Sequence, residues 1–355
     1  MNKTNLLVIF GGKSSEHDVS LKSSSAILRN ISRDKYNVIM VGISKEGKWF
    51  KYDGEIDNIE NGSWINSSDI TPAMLTPEGK LFAMGKQGKH AFFDIDVCFP
   101  VLHGKNGEDG TMQGLLELYD IAYVGCDHIA SGNCMDKELT HIVLDSKGIK
   151  TAKYTSLKGY DAKLDFKKEL DRIEAQLSYP MFVKPAKQGS SVGVSKAKDR
   201  ASLEKAVSLA LSCDDKLIVE EEIIGQELEC AVLGNNEVKA SILGEIAPAD
   251  EFYSFDAKYN DEATRLFIPA RVSKENSDKI RETAIRAYKA LGCSGFTRMD
   301  FFLTKDGEII LNEPNTIPGF TSISMYPKLW GETSLPMNEL IDKLISLAIE
   351  KKRER

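Results

Sequence analysis

Leu6-Leu7-Val8-Ile9-Phe10 is a run without one polar side chain, closed by Gly11-Gly12. So short and unbroken a run predicts a strand buried on both faces, the pattern of a parallel sheet covered by helices. Val38–Ser44 and Val97–Leu102 repeat the pattern, and amphipathic helices are predicted over Val19–Asn30 and Gly110–Tyr119. Strands alternating with helices imply a parallel α/β layer. Residues 45–90 are polar, Gly-dotted and weakly periodic, and read as an insertion or a set of hairpins.

A second block opens near Gly125. It holds a helix Asp136–Lys147 with Gly148 as its C′ residue, a strand Tyr154–Leu157, a charged helix Ala162–Ala175 and a strand Met181–Lys184. A Gly/Ser loop and a strand Lys216–Glu221 close the block near Gly225. Strands Glu229–Leu233 and Ala240–Ile246, a polar loop Pro248–Arg265 and a helix Asp278–Leu291 follow, then a hairpin Gly295–Pro314 and a helix Pro336–Lys351. Three units result, 1–124, 125–225 and 226–355, α/β first and α+β after.

The hairpin carries the most chemistry. Asp306-Gly307 between two apolar runs predicts a two-residue type I′ turn flanked by Lys305 and Glu308. Asp300 then faces Glu313, Arg298 faces Asn315, and all four share a sheet face with Phe302 and Leu311. Opposed carboxylates about 4.5–5.5 Å apart at Cβ repel one another. A cation between them relieves this, and Asp, Glu and Asn oxygens suit Mg²⁺ or Mn²⁺ shared with substrate phosphates. The alternative is an acidic pair neutralised by Arg298 alone.

The strand ending in Lys184-Pro185 runs into Lys187-Gln188-Gly189-Ser190-Ser191-Val192-Gly193. Glycines let backbone N–H groups approach an anion, hydroxyls add donors and lysine adds charge, so the loop suits phosphate; a plain surface turn is the alternative. Walker A is excluded because Leu7 stands where its first glycine belongs, and no G-x-G-x-x-G follows a predicted strand. Gly11-Gly12-Lys13-Ser14-Ser15-Glu16-His17-Asp18-Val19-Ser20 lies at a strand end, where open α/β sheets bind ligands. Glu16 there can hold an ammonium group, or Ser15 or Asp18 can simply cap the helix. His103-Gly104 carries the same ambiguity.

Charge and cysteines narrow the partners. With 46 Lys+Arg against 53 Asp+Glu the net charge is −7, which disfavours nucleic acid or an anionic membrane as the main partner. No apolar run approaches the roughly 20 residues of a membrane span, and the first apolar segment is too short for a signal peptide. The six cysteines form no C-x-x-C pair or zinc spacing and sit in apolar segments, as buried thiols of a reducing, cytoplasmic compartment do.

Taken in order, the motifs resemble those of the D-alanine–D-alanine ligases, members of the ATP-grasp superfamily. They are Phe10 to Ser20, Leu102-His103-Gly104, Gly107-Glu-Asp-Gly110, Met135-Asp136-Lys137, Val183-Lys184-Pro185 and Gly189 to Gly193. Tyr253 to Tyr259, Arg298-Met-Asp300 and Asn312 to Gly319 complete the set across nearly the whole chain. The resemblance implies three domains: a parallel α/β N-terminal domain, a central lid, and a C-terminal antiparallel-sheet domain that grasps ATP with the lid. It implies a cytoplasmic enzyme of peptidoglycan synthesis that joins two D-alanines, with a homodimer as the family's assembly.

Position by position, the resemblance places Lys137 and Lys184 on the ATP phosphates, beneath a loop that includes Ser191. Glu220, Glu221 and Ile223 line the adenine pocket, Glu227 takes the ribose and Lys258 the γ-phosphate. Asp300, Glu313 and Asn315 hold two Mg²⁺. Glu16 binds the first D-alanine's ammonium, linked through Ser190 and Tyr259. Arg298 and the Gly319 N–H form the oxyanion site, Ser324 takes the second carboxylate, and His103 is a candidate proton carrier without a defined step. Pro248–Arg265 is expected to close over the site.

The second substrate divides the family, since close relatives of the vancomycin-resistance type use D-serine or D-lactate. Tyr259 and the apolar Met325, expected as a wall for a methyl group, favour D-alanine. Phe99 to Gly110 and Gly292-Cys-Ser-Gly-Phe296 look like the D-serine group, and Ile323 stands where a His is common. A catalytically silent nucleotide-binding protein and another ATP-grasp ligase are the competing classes. The first is disfavoured by the intact Lys and Asp/Glu/Asn sets, while the second would not need Glu16 or Ser324.

Overall fold

The computed structural model describes residues 3–85, 89–247 and 265–354. The first apolar run is β1 (Thr4–Gly11), buried along most of its length. It lies between β2 (Tyr36–Ile43) and, by a crossover, β7 (Val97–Val101), with β8 (Ala122–Tyr123) beyond, all parallel. Side chains alternate faces along a strand. Leu6, Val8 and Phe10 therefore pack in one core with the helices His17–Asn30 and Met337–Arg353. Leu7 and Ile9 pack in another with Met112 and Leu116 of the helix Thr111–Leu118.

The layer is not wholly parallel. Residues 49–94 add an antiparallel edge, β3 (Trp49–Tyr52), β4 (Ile70–Leu75), β5 (Lys80–Met84) and β6 (His90–Asp94), completing an eight-stranded sheet. Trp64, 1% exposed, anchors this addition, its ring 5.0 Å from that of Phe10.

Four antiparallel strands form the central layer: β9 (Tyr154–Lys158), β10 (Met181–Pro185), β11 (Ser195–Ala197) and β12 (Lys216–Glu221), in the order β11-β10-β12-β9. The expected charged helix is two helices, Gly159–Leu164 and Phe166–Gln176. Asp165 breaks the run and caps the second by accepting from the Lys168 N–H at 3.0 Å. A helix Arg200–Cys213, absent from the sequence reading, begins in a capping box formed by Asp199 and Ser202.

The third layer has the order β15-β14-β13-β16-β17, from β13 (Gly225–Leu233), β14 (Lys239–Ala247), β15 (Arg265–Phe267), β16 (Phe296–Thr304) and β17 (Ile309–Asn315). Its core takes in Cys126, Ala130, Cys134, Leu144 and Ile149, so residues 126–149 pack with the C-terminal unit. The core confined to the central layer starts at Leu157. The first and third layers share a core, in which Phe10 and Phe99 join Phe296, Phe320 and Leu344.

The hairpin reaches its expected pairing by an unexpected route. Thr304 and Glu308 flank a three-residue turn, with Gly307 at φ 80°, in place of the two-residue turn. That slips the register by one, so Phe302 faces Ile310 and Leu311 faces Phe301 in the core. A bulge at Asn312 restores it, and Asp300 faces Glu313 while Arg298 faces Asn315. The left-handed backbone at Gly307 has open space around it. Gly307→Ala is therefore expected to cost about 1–2 kcal/mol through backbone conformation alone. A lower thermal midpoint with unchanged activity would register this.

Candidate functional site

β10 and β12 of the central sheet and β13, β16 and β17 of the third meet at one cleft. Lys137, His141, Lys184, Gly189, Ser190, Ser191, Glu220, Glu221, Ile223, Glu227 and Glu313 all line it. The helix Lys137–Ser146, capped by Asp136, turns Lys137 inward, where its Nζ donates to the Gln188 carbonyl at 2.7 Å. Register pairs Glu220 of β12 with Phe182 and Lys184 of β10 with Ile218, so Lys184 and Glu220 are diagonal neighbours on one face. The Lys184 Nζ donates to Glu220 Oε2 at 2.5 Å, and His141 Nε2 lies 3.0 Å from Glu220 Oε1.

Burial alone would raise the Glu220 pKa, but the Lys184 charge and the His141 contact outweigh it and push it down to about 2. The Lys184 pKa would be lowered by burial, yet the charge and hydrogen bond of Glu220, with Glu313 and Glu227, raise it. Glu221 points off the opposite sheet face, accepting from the Ser178 N–H at 2.8 Å. Sequence reasoning passed over His141. Its position four residues after Lys137 on a predicted helix was the available signal, because such pairs share a face.

On the third sheet Arg298 grips Asp300 with two bonds of 2.7 Å, from Nε and an Nη, and its Nε lies 3.1 Å from Glu229. Glu229, also unremarked in the sequence, is the cross-strand partner of Asp300. Both the metal reading and the neutralised-pair reading thus have a physical basis, since Arg298 neutralises Asp300 beside the opposed Glu313. A carboxylate offers about four lone-pair sites, so an Asp300 held by Arg298 keeps capacity for a cation. The donors are oxygens throughout, fitting Mg²⁺ or Mn²⁺. Among the described residues no three His, Cys, Asp or Glu gather as a metal cage. Asn315 Oδ1 also accepts from the Ile317 N–H at 3.2 Å.

The third edge of the site comes from the first layer. Neither Ser15 nor Asp18 caps the first helix: Glu16 occupies the N-cap position without a side-chain cap bond, while the Ser14 hydroxyl accepts from its N–H at 3.0 Å. The 7%-exposed Glu16 carboxylate lies against the central loop, and a Cβ on Gly189 would stand 2.7 Å from its Oε1. Ser190 and Ser191, at φ 49° and 59°, hold this loop in the left-handed region that serine seldom adopts. His103 Nε2 is 3.1 Å from Ser23 Oγ, which also accepts from the Phe320 N–H. Burial would lower the His103 pKa, but the hydrogen bond and charge of Glu108 and the charge of Glu16 raise it. Ser324 Oγ accepts from the Thr321 N–H at 3.0 Å, close to Gly319.

Met325 does not form the expected wall. It is 4% exposed in the shared core, its sulfur against Gly244. It opens a helix, Met325–Glu332, that the sequence reading missed and whose buried side, Met325, Tyr326, Leu329 and Trp330, faces that core. Ile323 is 54% exposed. Lys258, Tyr259 and most of the loop Pro248–Arg265 lie outside the described residues. All six cysteines are free thiols, and no described helix is long and apolar enough to cross a membrane.

Two antiparallel sheets closing on one cleft from opposite sides constitute the ATP-grasp architecture. The chain belongs to the D-alanine–D-alanine ligase family: the model of the D-ala D-ala ligase N-terminus matches residues 5–126 and that of the C-terminus residues 143–346. The D-alanine–D-alanine ligase of Caldicellulosiruptor bescii is 48% identical across 100% of this chain and 98% of its own. That of Acetivibrio thermocellus is 47% identical across 99% and 97%. Among solved structures, the VanG D-Ala:D-Ser ligase from Enterococcus faecalis matches with a TM-score of 0.89 at 40% identity, covering 98% of this chain and 100% of its own. The Coxiella burnetii D-alanine-D-alanine ligase gives 0.86 at 35%, covering 100% and 96%.

A Gly189→Ala variant is expected to lose activity by about 10²-fold while keeping its thermal midpoint, because the new methyl displaces Glu16 or the loop and not the core. Steady-state rates beside a melting curve check this. The depressed Glu220 pKa stabilises the fold above pH about 4.5, and that contribution is lost as pH falls towards about 2. The thermal-midpoint gap between the native chain and Glu220→Gln should therefore be full at neutral pH and shrink across that acid window.

Proposed function

We propose that this chain joins two molecules of D-alanine at the expense of ATP, through a D-alanyl phosphate, to give D-alanyl-D-alanine for peptidoglycan synthesis. The observation that carries the reading is one cleft lined by Lys137, Lys184, a Gly/Ser loop and Glu313, with the Glu16 carboxylate against the loop's far side. The full-length similarity to D-alanine–D-alanine ligases supports it.

Lys137 and Lys184 hold the ATP phosphates beneath Gly189–Ser191, and Glu220, Glu221 and Ile223 border the base while Glu227 takes the ribose. Asp300, Glu313 and Asn315 hold the divalent cations, two in the family reading, and a bound ion supplies neutralisation of phosphate charge. Glu16 binds the first D-alanine's ammonium and so aims its carboxylate at the γ-phosphorus. A carboxylate oxygen attacks, the bond to the bridging oxygen breaks, and ADP leaves with that electron pair. The family pattern adds Lys258 on the phosphate and Tyr259 beside Ser190.

The second D-alanine, its carboxylate at Ser324, attacks the acyl carbon as a neutral amine. Its C–N bond forms, the C–O bond to phosphate breaks, and the amine gives up one proton. Arg298 and the Gly319 N–H hold the oxyanion between the two events. His103, buried among Ser23, Glu108 and Glu16, belongs to the amino-acid end of the site. D-alanine is preferred over D-serine as second substrate because relatives at 47–48% identity bear the D-alanine name, against 40% for the D-Ala:D-Ser ligase. A cytoplasmic homodimer completes the family reading.

Phosphate release with D-alanine alone, and product mass in mixtures with D-serine, test this. D-alanyl-D-alanine should dominate, and Asp300→Asn and Glu313→Gln should each lower the rate about 10²-fold or more. Full activity in either variant, or D-alanyl-D-serine as the main product, would contradict it.

A further inference from the structure

Lys137 and His141 stand one turn apart on the helix Lys137–Ser146, and both line the nucleotide cleft. The Lys137 ammonium donates to the Gln188 carbonyl at the loop. His141 instead reaches across to the central sheet, where its Nε2 meets Glu220 Oε1 at 3.0 Å. Behind it, Nδ1 lies 2.8 Å from Thr151 Oγ1, and the Tyr154 ring packs at 4.4 Å between centroids. The imidazole is 2% exposed, fixed at both nitrogens and along one face.

Glu220 is ionised and can only accept, so His141 must carry its proton on Nε2. Nδ1 is held against Thr151 Oγ1, whose hydroxyl also lies 3.3 Å from Asp145 Oδ1. The two Glu220 oxygens thus have separate donors, His141 on Oε1 and Lys184 on Oε2. A carboxylate with one of those donors removed is free to turn about its last torsion, and the lysine paired with it loses a fixed counter-charge. Asp300 and Asn315, at the reacting end, do not touch the ring.

We propose that His141 is a positioning residue for the nucleotide: by fixing Glu220, and through it Lys184, it sets the affinity for ATP without entering the phosphoryl or acyl transfer. The inference rests on the ATP reading of the cleft. It places the tuning of this wall on a helix outside the two sheets, a helix that Glu138 also ties to the central strands through Ser156 and Lys216.

Calorimetric titration of ADP with Mg²⁺ into the full chain, beside steady-state kinetics, tests it. His141→Leu should weaken ADP binding and raise KM for ATP by about tenfold or more, the scale of a lost hydrogen bond to a charged group. Its kcat should stay within about threefold and its KM for D-alanine should not move. His141→Gln, whose amide N–H can reach the same oxygen, should recover most of the affinity. Thr151→Val, a milder change, should weaken ADP binding about two- to fivefold. ADP affinity within twofold of native in both His141→Leu and Thr151→Val, a fall in kcat at constant affinity, or no recovery in His141→Gln would overturn the inference. A native chain that binds no ADP would instead overturn the ATP reading itself.

Discussion

Glu220 and Lys184 meet at 2.5 Å in a wall where neither is well exposed, and Arg298 meets Asp300 and Glu229 on the facing sheet. Removing one partner from such a pair leaves a charge that water cannot solvate, a loss of about 3–5 kcal/mol. Each sheet therefore brings its own compensated charges to the cleft. Strand register does the placing, since Glu220 and Lys184 lie on adjacent strands and Arg298 and Asp300 two residues apart on one face. The cations Lys184 and Arg298 are thus held in fixed positions by carboxylates of their own sheets.

What the sequence disclosed follows from which physical signals are local. Apolar runs such as Leu6–Phe10 mark buried strands because nothing polar interrupts them. The Asp300–Glu313 pairing was legible from the hairpin, although two opposite one-residue shifts, a longer turn and a bulge at Asn312, had to cancel for it. No residue type near Asn312 announces a bulge. The helix Arg200–Cys213 was overlooked although Asp199 and Ser202 form a recognisable start.

The site shows the same division. Residues in recognisable strings, Lys184 and Gly189–Ser191 among them, were found and line the cleft. His141 and Glu229 act through partners about 79 and 69 positions away in sequence, Glu220 and Arg298, so only the folded sheets reveal them. Met325 was misjudged because proximity to Ser324 says nothing of direction: helix geometry turns it into the core.

The first sheet's inner face is closed by Leu340, Ile341, Leu344 and Ile345 of the last helix, more than three hundred positions downstream. During synthesis, Leu6, Val8 and Phe10 must wait for that helix to leave the ribosome before their surface is fully sheathed. Until then the nascent chain carries an unsheathed apolar flank, the kind of surface that invites misassembly.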